Sequence, residues 1–169
     1  MAARSDAARV TQLVQDHSSA LLGYFVRRVD DPSDAADLLG DLLTVVWRRR
    51  SSVPSDDTEA RMWMYGVARL TLSTYRRGRR RRHTLQDRLR EELAVEPVDE
   101  PHDVTEVLEA LRELDPIDQE IIRLVHWDGF TQADAARLLD MPAATVRSRY
   151  FRARGVLRTR LESLASVSD

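Results

Sequence analysis

Cysteine and lysine are absent from the 169 residues, and glycine and proline occur only six times each. Without cysteine there are no disulfides, no thiolate metal ligands and no thiol redox sensor, and the composition suits a reducing cytoplasm. The four histidines, His17, His83, His102 and His126, show no ligand spacing, so no metal site and no cofactor is expected. No apolar run approaches the ~20 residues that a membrane span needs, and the N-terminal Met-Ala-Ala-Arg-Ser-Asp is not a hydrophobic signal segment. A glycine-rich phosphate loop, a nucleophile paired with a base and a plausible carboxylate pair are also missing, which argues against an enzyme. His126-Trp127-Asp128 is suggestive only in isolation and reads as structural.

Charge is abundant but segregated, so the net charge of −2 conceals the pattern. Residues 1–75 are nearly neutral at −1, whereas 76–90 hold eight arginines against one acid, a net of +7. Residues 91–146 hold fifteen acids against three arginines, and 147–169 return to +4. Two basic islands around an acidic stretch point to two contacts with a polyanion.

With glycine rare and no sustained alternating pattern, the chain reads as all-α. One helix is expected over Val10–Val29, and Asp30-Asp31-Pro32 ends it. A second follows, capped by Ser33, with Ala35, Leu38, Leu39, Leu42, Leu43 and Val46 inward. A loop covers 51–57, and a third helix runs from near Thr58 to about Arg82. Residues 83–103, with Pro97, Pro101 and seven acids, read as a flexible acidic linker after an initial helix-compatible stretch. The two domains are then 10–82 and 104–165. The second should hold helices at Val104–Leu114 and Pro116–Trp127, the latter capped by Asp115.

Residues 129–154 carry the clearest functional pattern. Thr131 can cap a short helix with Asp134 closing a capping-box-like exchange, and Asp140 and Met141 make a tight turn. Pro142 sits in the first turn of the next helix. There Val146, Tyr150, Ala153 and Leu157 form one buried stripe, while Arg147, Ser148, Phe151 and Arg152 point away. Such a helix suits a DNA major groove, where arginine bonds guanine edges in pairs and an aromatic ring meets a thymine methyl. The competing reading is an ordinary helical hairpin with a solvated arginine face. The small-residue first helix, Ala135 and Ala136, favours helix-turn-helix.

A second constellation runs from Trp63-Met64-Tyr65 to Arg76-Arg77-Gly78-Arg79-Arg80-Arg81-Arg82. Aromatic surfaces stack unpaired bases and arginines hold phosphates, the combination that melted DNA requires. An aromatic core beside a solvated basic tail is the alternative. An RNA-binding module would also use the basic run, but the recognition-helix pattern disfavours it.

In this order and separation the two constellations resemble the extracytoplasmic-function (group IV) sigma factors of bacterial RNA polymerase. Leu111-Arg112-Glu113-Leu114-Asp115-Pro116 through Thr145-Val146-Arg147-Ser148-Arg149-Tyr150-Phe151-Arg152-Ala153-Arg154 looks like sigma domain 4. Asp34-Ala35-Ala36-Asp37-Leu38, Trp47-Arg48 and Trp63 to Arg82 look like sigma domain 2. The resemblance implies a cytoplasmic, non-enzymatic promoter-specificity subunit with core polymerase (largest-subunit clamp helices and flap) and promoter DNA as partners. An anti-sigma factor is the family's common regulatory partner.

It further implies that Asp37, Leu38, Asp41 and Leu42 dock on the clamp helices, and that the 51–61 loop serves the melted −10 element. Trp63, Arg69, Thr74, Arg76, Arg77 and Arg80 serve that element too. Thr145, Arg147, Ser148, Arg149, Phe151, Arg152 and Arg154 serve the −35 element, with Arg149 and Arg154 on phosphates or structural. The acidic linker would thread the polymerase channels as an RNA mimic. This chain departs from the family with Gly40-Asp41 in place of Gln-Glu, Leu43 in place of Phe and Leu70 in place of Asn. A stand-alone helix-turn-helix regulator binding duplex DNA as a dimer would need only the C-terminal unit, and it leaves the rest unexplained.

Overall fold

The computed structural model describes residues 2–93 and 106–165, with side chains over 7–79 and 107–163. The chain divides into two compact units, Met1–Pro97 and Val98–Asp169. Among the described residues all regular structure is helical.

The first unit packs three helices pairwise: α1 (Ala2–Val26), α2 (Pro32–Arg48) and α3 (Asp57–Leu93). Leu13, Leu21 and Phe25 of α1, Ala35, Leu38, Leu42 and Val46 of α2, and Ala60, Met64, Tyr65, Ala68 and Leu72 of α3 are buried. Each large apolar side chain fully buried this way contributes roughly 1.5–3 kcal/mol. Tyr24 joins the core edge-on to both Phe25 and Tyr65, at ring separations of 5.4 and 5.5 Å.

Three boundaries differ from the sequence expectation. The first helix begins eight residues earlier and ends at Val26, because the Ala-rich start has no helix breaker. The cap of α2 is Asp31 rather than Ser33. With Pro32 at the first helical position, the residue before it must cap, and Asp31 accepts from both the amide and the hydroxyl of Ser33 at 2.8 Å. Those two donors hold the Asp31 carboxyl below its ordinary range. The third helix continues past Arg82 to Leu93, into the stretch read as linker, since arginine, leucine and glutamate are good helix formers. The remaining part of that linker, 94–103, lies outside the described residues.

Gly40 lies exposed in the middle of α2, and a Cβ built on it meets nothing within 4 Å. Gly40→Ala is therefore expected to stabilise the first unit by about 0.5–1 kcal/mol, read as a higher melting temperature by circular dichroism. A lower melting temperature would mean that the glycine relieves a strain absent from this packing.

The second unit is built on α7 (Ala143–Ala165), which packs against α4 (Glu106–Arg112), α5 (Pro116–His126) and α6 (Gln132–Leu139). Leu111, Leu114, Ile122 and Ala153 form a core cluster against which Tyr150 and Leu157 lie partly buried. Asp115 caps α5, accepting from the amide of Ile117 at 2.9 Å. Thr131 and Asp134 form the full capping box of α6.

Candidate nucleic-acid and partner-docking surfaces

The geometry of α6 and α7 follows from local chemistry. Asp140, after α6, takes the left-handed conformation (φ 53°, ψ 49°), and Met141 N–H returns to the Ala136 carbonyl at 3.0 Å. That closure ends α6 abruptly, and Asp tolerates it better than most residues. The chain restarts at Pro142, whose carbonyl accepts from Val146 N–H at 3.1 Å. Proline thus stands just before α7 rather than inside its first turn.

Val146 and Ala153 are fully buried, which turns the opposite face of α7 outward. On that face Arg147, Ser148, Arg152 and Arg154 are exposed, and Phe151 is 80% exposed. Thr145 is half-buried. Arg149 is different: its Nη1 donates to Asp118 at 2.8 Å and lies 3.4 Å from Asp115. The Asp118 hydrogen bond and charge raise the guanidinium pKa above its usual value. Arg149 ties α7 to the start of α5, a pairing that sequence spacing could not reveal. Tyr150 stacks on His126, with 3.1 Å from its hydroxyl to Nε2, which accounts for the histidine structurally.

In the first unit the two leucines of the predicted docking set turn inward: Leu38 is 3% and Leu42 0% exposed. They belong to the stripe that faces α1 and α3, so they support the surface rather than form it, while Asp37 and Asp41 are exposed. A groove of about 610 Å³ runs between α2 and α3. The buried Leu38 and Val67 lie at its base, the 67% exposed Leu70 stands at its rim, and Asp34, Asp37 and Asp41 line it with carboxylates.

Aromatic roles on α3 also separate. Tyr65 is core at 1% exposure, which removes it from any base-stacking surface, whereas Trp63 is half-buried. Trp47, in the stretch that resembles sigma domain 2, is 49% exposed with the Arg50 guanidinium 5.6 Å from its ring centre. Arg69 is half-buried, and Thr74, Arg76 and Arg77 are exposed. Arg77 donates to the Thr74 hydroxyl at 3.2 Å, and Arg76 reaches the Arg28 carbonyl, in the turn after α1, at 3.3 Å. Arg80 continues the same helix, its side chain outside the described ones.

A latch that the sequence did not disclose ties α3 to the start of α2. Tyr75 donates to Asp34 at 2.5 Å, Arg79 donates to the Tyr75 hydroxyl at 3.2 Å, and Arg79 pairs with Asp30 at 2.9 Å. Burial, then the bond to the Asp34 carboxylate, push the Tyr75 phenol above its ordinary value of 10.0 against the pull of Arg79. A pKa raised on folding stabilises the fold below the unfolded value and loses that contribution as pH rises through the folded one. The melting temperature of the native protein should therefore fall more steeply above pH 10 than that of Tyr75→Phe. Parallel curves would show that the phenol does not titrate within the latch.

Residues 13–82 match the family model of sigma-70 region 2, and residues 105–157 that of sigma-70, region 4. The RNA polymerase sigma factor NccH of Alcaligenes xylosoxydans xylosoxydans is 30% identical over 172 residues, covering 96% of this chain and 91% of the relative. The ECF RNA polymerase sigma factor SigL of Mycobacterium tuberculosis is 27% identical, covering 96% and 94%. Among solved structures, the sigma factor RpoE in complex with the anti-sigma factor NepR from Bartonella quintana superposes with a TM-score of 0.68 at 25% identity. That match covers 90% of this chain and 96% of the other.

Proposed function

The chain belongs to the extracytoplasmic-function sigma factors of bacterial RNA polymerase, and from that premise we infer how its surfaces divide the work. It is a promoter-specificity subunit: it binds core polymerase and directs initiation at promoters with −35 and −10 elements. The observation that carries the division is the outward face of α7, where Arg147, Ser148, Phe151 and Arg152 stand free of the core that Val146 and Ala153 enter.

Residues 104–165 form the duplex-reading domain. Arg147 and Arg152 reach base edges, Phe151 covers itself on a thymine methyl, and Ser148 and Thr145 line the approach. Arg154 is left for phosphate, and Arg149, engaged by two carboxylates, holds the helix at its angle. Residues 10–82 form the domain for core polymerase and melted DNA. Asp37 and Asp41 meet the clamp helices, supported by Leu38 and Leu42 from within. The loop before α3, the first turn of α3 (together 51–61) and Trp63 take unpaired bases of the −10 element. Arg69, Thr74, Arg76, Arg77 and Arg80 follow its backbone. The acidic segment within 83–103 spans the polymerase channels in place of nascent RNA. The protein acts where polymerase acts, in the cytoplasm, and an anti-sigma factor that covers the docking surfaces is its natural inhibitor.

Gel filtration with purified core polymerase tests the reading. A sigma subunit comigrates with core as a single copy and binds isolated promoter duplex weakly. A protein that ignores core and binds duplex tightly as a dimer is a stand-alone regulator instead.

A further inference from the structure

We propose that Arg9 is a positioning residue that holds the 51–57 loop in the shape needed to capture an unpaired base. The proposal rests on the reading of that loop as part of the −10 surface. Arg9 stands on α1, four residues before the segment that matches sigma-70 region 2. From there one terminal nitrogen, Nη2, donates to the Pro54 carbonyl at 2.6 Å and to the Ser55 carbonyl at 2.9 Å. The same nitrogen lies 3.4 Å from the Asp57 carboxylate. Two successive carbonyls turned toward one cation fix the backbone between them.

The two ends of the loop are held by other means. A 3-10 turn at Arg50–Ser52 anchors its start, with Ser52 N–H on the Arg49 carbonyl at 2.8 Å. At its end Asp56 accepts from Glu59 N–H at 2.9 Å as α3 begins. Arg9 supplies the middle, where Pro54 has no N–H to offer a turn. The hydroxyl-bearing residues Ser51, Ser52 and Ser55 remain exposed. The loop therefore offers polar groups to a base while its backbone is fixed from α1.

A preformed loop binds more tightly because its ordering cost is met on folding rather than on binding. Freeing the backbone of one residue corresponds to about a tenfold loss in a binding constant. The ion pair with Asp57 contributes less, since the Asp57 side chain is 84% exposed and surface pairs are weak.

The test uses the full chain bound to core polymerase and a single-stranded −10 oligonucleotide from a promoter recovered by run-off transcription. A second oligonucleotide carries one substituted base. Three variants are compared with the native protein: Arg9→Ala, Arg9→Gln (which keeps the packed stem and removes the cation) and a loop with 52–55 replaced by Gly-Ser-Gly-Ser. Arg9→Ala and Arg9→Gln should weaken the native oligonucleotide about tenfold, the substituted one less, and the −35 duplex not at all. Faster amide exchange over 53–57 should accompany the loss. If both Arg9 variants keep native affinity and discrimination while the loop replacement loses them, the loop reading stands and the clamp is wrong. A uniform loss on all three DNAs also overturns the clamp, since it marks a fold defect. If the loop replacement itself changes nothing, the underlying reading of the loop fails first.

Discussion

Replacing both Arg147 and Arg152 with alanine is expected to weaken recognition of the −35 duplex by a factor on the order of 10² to 10⁴. Each bidentate contact from arginine to a guanine edge is worth about 1–3 kcal/mol of discrimination. The two residues are five positions apart on α7, roughly 7.5 Å along the axis, so their effects should nearly add. Both are exposed, and neither contributes to the cluster of Leu111, Leu114, Ile122 and Ala153, so the melting temperature should hardly move. The diagnostic is how the loss depends on sequence. The double variant should transcribe native and −35-mutated promoters at similar low levels, whereas the native protein separates them. If the double variant still separated them, base reading would lie elsewhere on the unit. Arg149→Ala makes an instructive contrast. Its guanidinium is committed to Asp118 and Asp115, so its removal should loosen α7 against α5 and lower the melting temperature.

Removing Arg77 and Arg80 together should alter salt dependence rather than sequence preference. Each phosphate neutralised on single-stranded DNA contributes about 0.7 to the slope of log affinity against log salt, so the pair accounts for about 1.4. Extrapolated from 1 M to 0.1 M salt, that is roughly a 25-fold loss for the melted −10 strand. Arg76 is a poorer target for the same test, because it also reaches the Arg28 carbonyl and its loss would mix packing with electrostatics. Titrating a −10 oligonucleotide against the core-bound variant at several salt concentrations gives the slope directly. A slope equal to the native one would show that these arginines do not touch phosphate.

The second unit was legible because its signals are local. Asp115 with Ile117, and Thr131 with Asp134, cap helices within two or three residues, and the stripe of Val146, Tyr150, Ala153 and Leu157 needs only helical periodicity. The first unit was legible in its helices and less so in its surface. Leu38 and Leu42 fit both the inward stripe and, by resemblance, a docking face, and burial places them in the stripe. Tyr65 looked like part of an aromatic base platform, yet it packs edge-on against Tyr24, a partner 41 positions earlier in the chain. The contacts missed entirely are of this distant kind. Arg9 meets Pro54 across 45 residues, and Tyr75 meets Asp34 across 41, with no spacing rule to announce either. Periodicity tells which face of a helix is buried. It does not tell which polar group waits on the neighbouring element.

Run-off transcription with purified core polymerase on a pool of genomic promoter fragments from the source organism, with and without this protein, is the most direct test of the central claim. Specific transcripts should appear only when the protein is added, and their upstream regions should align on one pair of −35 and −10 elements. No transcripts and no binding to core, together with tight dimeric binding to duplex fragments, would contradict it.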